Sequence, residues 1–422
     1  MKHKLKLWHW VLIVTAAVLV LLTTAVGIWW GVMDVESFSE GWSLIQNLSD
    51  PPANDVYYKD SYTASDKKAQ KWADKVVATV GDRELTNGQL QVYYWMEVYT
   101  YLNYNGQYAI SKGLDYSLPL DRQYYDEFGG TWQQYFLDMA LDSWHEEQSL
   151  ALTAEAEGMT LSAEAKMDLE NLRKELAASV AEGGYTSIDA MLQHDMGAGC
   201  DYDDYYSYRY TYTLANTWFT AKSEEVLDQM TDADVERFYF QNRAELNAHG
   251  VSKTSGLLYS VRHILLEPPG GAKDSEGNVN YTEEEYDRCR QDAQKLLDQW
   301  LEEGGGEELF AQYANDYSAD EGSNTEGGLY EGLKETTDIL EEFVEWYSDP
   351  QRKIGDYGLV RTSRGYHIMY LSDMAPEWEV TCRKNLLNQL SEDFVEDAVC
   401  KYPLDVTYKN IVLSVVDLTD LK

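Results

Sequence analysis

Two stretches decide how this chain is read: Tyr259-Ser260-Val261-Arg262-His263-Ile264-Leu265-Leu266 and Arg364-Gly365-Tyr366-His367-Ile368-Met369-Tyr370-Leu371. Both are short, apolar and β-prone, so each reads as a buried strand. Each also carries one imidazole. A buried imidazole needs hydrogen-bond partners, and a second strand histidine can serve as one. A single strand histidine is usually a satisfied core residue. Two at these positions, separated by two amphipathic helical patterns and a Gly/Ser/Asp loop, mark a candidate site.

Outward from these strands, a chain of 422 residues has room for two or more domains. Lys2, Lys4 and Lys6 precede Leu7 to Met33, a run free of Asp, Glu, Lys and Arg and long enough to cross a bilayer as a helix. Trp8, Trp10, Trp29 and Trp30 bracket it as aromatic belts, and the lysines favour a cytoplasmic N-terminus. The competing reading is a cleaved signal peptide, but the run exceeds a typical h-region and no small-x-small site follows it. A retained anchor is therefore expected. No cysteine precedes Cys200, which excludes a lipobox-type lipid anchor. All 73 acidic residues but only 31 of the 34 basic ones lie beyond Met33, a net charge of −42 there. Such a surface repels nucleic acid and anionic lipid. It serves first as a solubility coat, and it would suit basic or unfolded cationic segments.

Asp34 to about Lys75 is polar, contains Pro51 and Pro52, and reads as a spacer. Val76 to Val80 reads as a strand with a turn at Gly81-Asp82. Thr86 with Gln89 forms a capping box for the next helix, and further helical patterns occupy Trp132 to Glu157 and Ser162 to Ala181. Asp201 to Thr213 holds six tyrosines and three aspartates, with Tyr185 upstream, and reads as helix packing slightly ahead of a peptide-binding surface. Asp232 to Asn247 reads as one capped helix. Trp378 to Lys401 gives a helix with Cys382, Leu386, Leu390, Phe394 and Ala398 along one stripe, and Leu404 to Val416 alternates as one or two strands. The four cysteines show no CxxC or zinc spacing. Cys382 and Cys400 lie about 27 Å apart by helical rise, too far for a disulfide, so single buried thiols are expected.

The paired strand histidines, with Tyr317-Ser318-Ala319-Asp320-Glu321-Gly322-Ser323 and Gly327-Gly328-Leu329 between them, resemble the parvulin (PpiC-type) peptidyl-prolyl isomerases. Val76, Ala78, Val80 and Gly81 with Leu85-Thr86, and the helix and strands after residue 373, extend the resemblance to the PrsA/SurA foldases. The resemblance implies an α+β chain: a discontinuous helical chaperone domain with an inserted parvulin domain, the latter a four-stranded antiparallel sheet with helices, preceded by a single transmembrane helix. The expected organisation is a cytoplasmic tail (1–6), an anchor (7–33), a linker (34–75), the chaperone domain (76–255 and 374–422) and the isomerase domain (256–373). The ectodomain would lie on the extracytoplasmic side of the cytoplasmic membrane.

By the same resemblance, His263 and His367 orient and tune the site through hydrogen bonds. Asp320 stands beside the substrate carbonyl, Thr362 supplies a hydroxyl near the histidines, and Phe343 with Ile339 forms the proline pocket. Ile339 replaces the usual methionine, and Arg364 stands where some parvulins place serine. Rotation about an X-Pro bond faces a barrier of about 18–20 kcal/mol because it breaks amide conjugation. A catalyst need only bind the twisted amide better than the planar one, so neither cofactor nor metal is implied. The expected partners are unfolded or newly secreted polypeptides and, through the N-terminal helix, the membrane. Nucleic acid is not expected, and the sequence leaves the oligomeric state open. From Glu267 to Asp287 there are seven acidic residues against Lys273, which argues for non-phosphorylated X-Pro substrates. The alternative is a non-catalytic holdase whose parvulin module only binds peptide.

Overall fold

The computed structural model of the protein describes residues 61–273 and 279–419. The expected tail, the anchor over 7–33 and the linker up to residue 60 lie outside the described residues. Among the described residues no helix is long and apolar enough to cross a membrane. The chain divides into two compact units, one built from the residues up to Asp228 with Asn388 onward, the other from Gln229–Leu387.

The first unit begins with helix α1 (Asp66–Lys71), inside the stretch read as spacer. Thr63 bridges Leu413 and Ala69 is buried, so the chain is already part of the fold here. Strand β1 (Val76–Val80) turns through Gly81, at φ +59°, into β2 (Arg83–Thr86). Thr86 and Gln89 make the expected reciprocal capping box that starts α2 (Asn87–Ser111). After a hairpin of two-residue strands, β3 (Tyr124–Tyr125) and β4 (Gly130–Thr131), a second capping box of Thr131 and Gln134 starts α3 (Trp132–Ala156). The core of this unit is aromatic. Tyr94 and Trp95 of α2 and Trp132, Phe136 and Trp144 of α3 are all buried, and Tyr125 stacks on Trp132 at 4.0 Å between ring centroids. Helices α4 (Ala163–Gly183) and α5 (Ile188–Met196) follow, then α6 (Tyr202–Gln229). The tyrosine-rich segment resolves by helical period: Tyr205 and Tyr208 are buried, while Tyr206 and Tyr210 face solvent.

The second unit opens with two helices where one was expected, α7 (Asp232–Gln241) and α8 (Arg243–Ala248). The break falls at Asn242, where the backbone leaves helical angles at φ −105° and ψ 13° and both the backbone N–H and the side-chain amide donate to the Phe238 carbonyl at 3.0 Å. Then come β5 (Leu257–Leu266), the short pair β6 (Ala272–Lys273) and β7 (Val279–Asn280), α9 (Glu283–Glu302), α10 (Glu307–Tyr317), β8 (Leu329–Leu333), α11 (Glu341–Tyr347), β9 (Tyr357–Arg361) and β10 (Tyr366–Pro376). The four long strands form one antiparallel sheet in the order β8-β5-β10-β9. Ile264 and Ile368 face α9 and α10 through Ala293, Trp300 and Phe310. The opposite face, with Val261, Met369 and Leu371, packs on Phe343 and Tyr347 of α11.

Helix α12 (Glu377–Lys401) carries the chain back to the first unit, where β11 (Leu404–Val406) pairs with β1 to complete the sheet order β11-β1-β2. The alternating pattern after Leu404 yields only this three-residue strand. Beyond it Leu413 pairs through its backbone with Tyr62 and Ala64, and side chains pair the residues on either side. Asn87 accepts from the Val412 amide at 2.9 Å and donates to the Asn410 carbonyl at 3.0 Å. Gln91 donates to the Val412 carbonyl at 2.9 Å and accepts from the Ser414 amide at 3.2 Å. Two buried amides thus meet the pairing demand that a strand would otherwise meet. All four cysteines are free. Cys200, Cys289 and Cys382 are buried as expected, whereas Cys400 is exposed.

Candidate active site

The sheet register brings the two strand histidines together. His263 lies opposite Met369 and His367 opposite Leu265, so the imidazoles form a diagonal pair on one face. Both are buried, at 3% and 2% exposure. Their Nδ1 atoms are 3.0 Å apart and the rings stack at 22°. The Gly327-Gly328 turn lets the chain approach this strand closely: His263 N–H donates to the Gly328 carbonyl at 2.8 Å. At Gly328, φ is +69° and a Cβ would run into the His263 carbonyl oxygen, so only glycine fits.

The loop after α10 places the acid. Ser318 Oγ accepts from the Leu265 amide at 3.1 Å, and the Ala319 amide donates to the Leu265 carbonyl at 2.9 Å. That docking pins Asp320 over His263. Its Oδ2 accepts from three donors: His263 Nε2 at 3.1 Å, Ser323 Oγ at 2.7 Å and the Tyr330 hydroxyl at 3.0 Å. Its Oδ1 accepts from Arg364 Nη1 at 3.2 Å. The His263 bond, joined by those from Ser323 and Tyr330, holds the carboxyl far below the usual carboxylate range despite burial. Asp320 is therefore ionised and can only accept.

An ionised Asp320 fixes the proton order of the network. His263 Nε2 must carry a proton. Burial, with the neighbouring His263 and Arg364 charges, pushes the His367 pKa down to about 3, so its ring is neutral at physiological pH. The Nδ1–Nδ1 contact has room for one proton. With His263 neutral, His367 Nδ1–H donates across the contact. His367 Nε2 then accepts from Thr362 Oγ1 at 2.9 Å, and Thr362 accepts from the Arg364 amide at 3.1 Å. With His263 protonated, both its nitrogens donate and His367 switches tautomer toward Thr362. These orders follow from donor and acceptor capacity. Phe343 closes the site, edge-on to His367 at 4.6 Å and 86° and to His263 at 5.2 Å. The result is a rigid polar chain of fixed charge beside one aromatic ring, a surface that can seat a five-membered apolar ring and hold hydrogen-bonding groups next to it. Residues 263–373 match the rotamase family, the PPIC-type PPIASE domain.

This segment is a parvulin-type peptidyl-prolyl cis–trans isomerase domain. No curated protein matches the chain. Among solved structures, PrsA from Bacillus subtilis is similar at 15% identity and TM-score 0.30 over 78% of this chain and 91% of that one. The peptidyl-prolyl isomerase ESS1 from Candida albicans is similar at 20% identity and TM-score 0.22 over 34% and 77%. A structure of the SurA-like chaperones PEB4 and Cj1289 from Campylobacter jejuni is similar at 9% identity and TM-score 0.25 over 79% and 98%. At these scores the assignment rests on the family match and the site geometry.

Of the six residues singled out from sequence, the isomerase domain gathers His263, His367, Asp320, Thr362 and Phe343 into one network. Ile339 is 37% exposed in the turn before α11, and its neighbour Leu340 packs in the cluster around Phe343. Ser323 and Tyr330 complete the Asp320 cradle and were not singled out from sequence. Ser323 follows Asp320 by three residues, the spacing of a side-chain turn. Tyr330 lies on β8 beside Val261 and has no motif of its own. The acidic segment also looks different once folded. Glu283, Glu284, Glu285 and Asp287 lie at the start of α9, where Arg361 binds Glu283 at 2.7 and 2.9 Å and Glu285 caps Thr282 and Gly271. Part of the charge of this segment is thus engaged at a helix N-terminus, where it is locally favourable.

Proposed function

We propose that this protein is a membrane-anchored foldase of the extracytoplasmic side. Its isomerase domain would turn X-Pro bonds in unfolded or newly secreted polypeptides while its helical unit holds them. The observation that carries the reading is the Phe343 ring set against His367 and His263, with ionised Asp320 locked behind them. An apolar wall of this kind seats proline. The oriented imidazoles and hydroxyls then stabilise the twisted amide, whose nitrogen has lost conjugation, more than the planar one. No covalent step is needed.

Support for client holding comes from the helical unit. Tyr104 and Tyr124 are 53% and 60% exposed, and Tyr108 and Leu118 are also exposed. A cavity of about 230 Å³ has a mixed lining that includes Arg83, Glu84 and Glu155 beside Tyr93, Tyr208 and Tyr210. Support for the anchor comes from Leu7 to Met33 behind three lysines.

The full chain should accelerate cis–trans exchange in an Ala-Xaa-Pro-Phe tetrapeptide and speed a proline-limited refolding reaction. Suppression of aggregation without any effect on isomerisation would replace this reading with that of a holdase. External protease on intact spheroplasts should digest the chain beyond residue 34, and full protection would reject the proposed topology.

A further inference from the structure

Arg364 is the cation of the site, and its placement has a consequence for substrate choice. It lies at the tip of the β9–β10 turn, which is closed by Thr362 N–H to the Gly365 carbonyl at 2.9 Å and Gly365 N–H to the Thr362 carbonyl at 3.3 Å. Gly365 packs so closely on the Leu266 carbonyl that a Cβ there would collide with it, so the turn is seated firmly on the end of β5. The guanidinium reaches inward to Asp320 Oδ1 at 3.2 Å, and its side chain is 50% exposed. Its second contact, to Glu267 at 3.9 Å, is weak. Arg262 and Arg361, the other arginines of these strands, are engaged elsewhere, by Glu307 and Glu283.

Oδ2 of Asp320 is filled by three donors, so Oδ1 is the edge that meets Arg364. One arm of the guanidinium is committed there, and the half-exposed side chain leaves the rest of a five-donor fork for a ligand bound next to Asp320. Both ion-pair partners of Arg364, Asp320 and Glu267, are negative and would be left without it.

We infer that Arg364 sets the charge preference for the side chain next to the substrate proline, admitting an acidic neighbour and disfavouring a basic one. This inference rests on the isomerase reading. It goes beyond that reading by naming a residue and a substrate class, and it runs against the −42 charge of the segment beyond Met33, which alone would favour basic clients.

The test measures kcat/KM of the full chain on Ala-Glu-Pro-Phe, Ala-Leu-Pro-Phe and Ala-Lys-Pro-Phe peptides, for the native protein, Arg364→Gln and Arg364→Lys. Arg364→Gln should move the Glu-to-Lys ratio toward lysine by about fivefold, the scale of a half-exposed charge pair. Arg364→Lys should keep most of the native ratio, and the shift should shrink at 0.5 M salt. An unchanged ratio in an active Arg364→Gln protein overturns the inference and leaves the isomerase reading standing. No turnover of any peptide by the native chain overturns both.

Discussion

His263 and His367 meet through like nitrogens, Nδ1 to Nδ1 at 3.0 Å, so the proton on one ring dictates the tautomer of the other. Neither side chain acts independently. Replacing His367 with Gln removes the donor to His263 and the acceptor for Thr362. Replacing His263 with Gln removes the partner of both His367 and Asp320. Each single change should lower kcat/KM, and the double change should cost far less than the sum, with a coupling of about 1–3 kcal/mol. Additive losses across the cycle would show that the two rings work separately.

Asp320→Ala should impair both activity and stability. Its Oδ2 holds three donors, two of them on the buried residues His263 and Ser323, and deletion strands them. Leaving such donors unpaired costs about 1–3 kcal/mol. Loss of the fixed charge beside the amide should lower kcat/KM roughly ten- to a hundredfold. Asp320→Asn retains the shape and an acceptor, so it should recover much of the stability but little of the rate. Equal recovery of both would assign Asp320 a purely structural role. Urea midpoints and tetrapeptide kinetics on the same preparations separate the two.

Phe343 belongs to the sheet–α11 core and touches His367, and in the proposed reading it also forms the proline wall. Truncation to Ala would empty a core position at a cost of about 3–5 kcal/mol, which would confuse the readout. Phe343→Leu keeps most of the volume and removes the aromatic edge against His367. It should raise KM with a smaller change in kcat, as expected when binding common to ground and transition states is lost. A fall in kcat alone would place the ring in the isomerisation step and not in the seating of proline.

The isomerase site was legible because its chemistry lies in local signals. Histidines in apolar runs, a Ser-x-Asp turn and a double glycine each carry a backbone or hydrogen-bond requirement that few other residues meet. Ser323, Tyr330 and the inward reach of Arg364 were not legible, because they depend on which strand lies beside β5 and on where a turn tip points. The same difference separates the capping boxes at Thr86 and Thr131, written in four consecutive residues, from the segment after Leu404. There the apolar alternation is real, yet its partners lie more than 300 residues earlier: Asn87 and Gln91 pair Asn410, Val412 and Ser414, and Tyr62 and Ala64 pair Leu413.

The two units should respond to mild acid in opposite directions. In the isomerase-bearing unit His367 is held at a pKa of about 3, below its unfolded value near 6.5. The unfolded chain therefore binds a proton that the folded one refuses, and stability contributed by this group, complete above pH 6.5, falls as pH drops toward 3. In the helical unit, burial raises Glu97 and Asp138 to about 7 and Asp142 to about 6. These groups bind protons more readily when folded, so their contribution is complete below about pH 4 and is lost as pH rises through 7. His145, lowered by burial, opposes this within the same unit but is outnumbered, since burial also raises Asp204, Glu146 and Glu147 there. Asp320 plays no part in this range, because its depressed pKa matters only below about pH 4. Hydrogen exchange followed by segment from pH 7.5 to 5.5, corrected for intrinsic rates, should show protection rising in α2 and α3 and falling in β5 and β10. A fall in both would mean that the α2–α3 carboxylates are solvated and titrate normally.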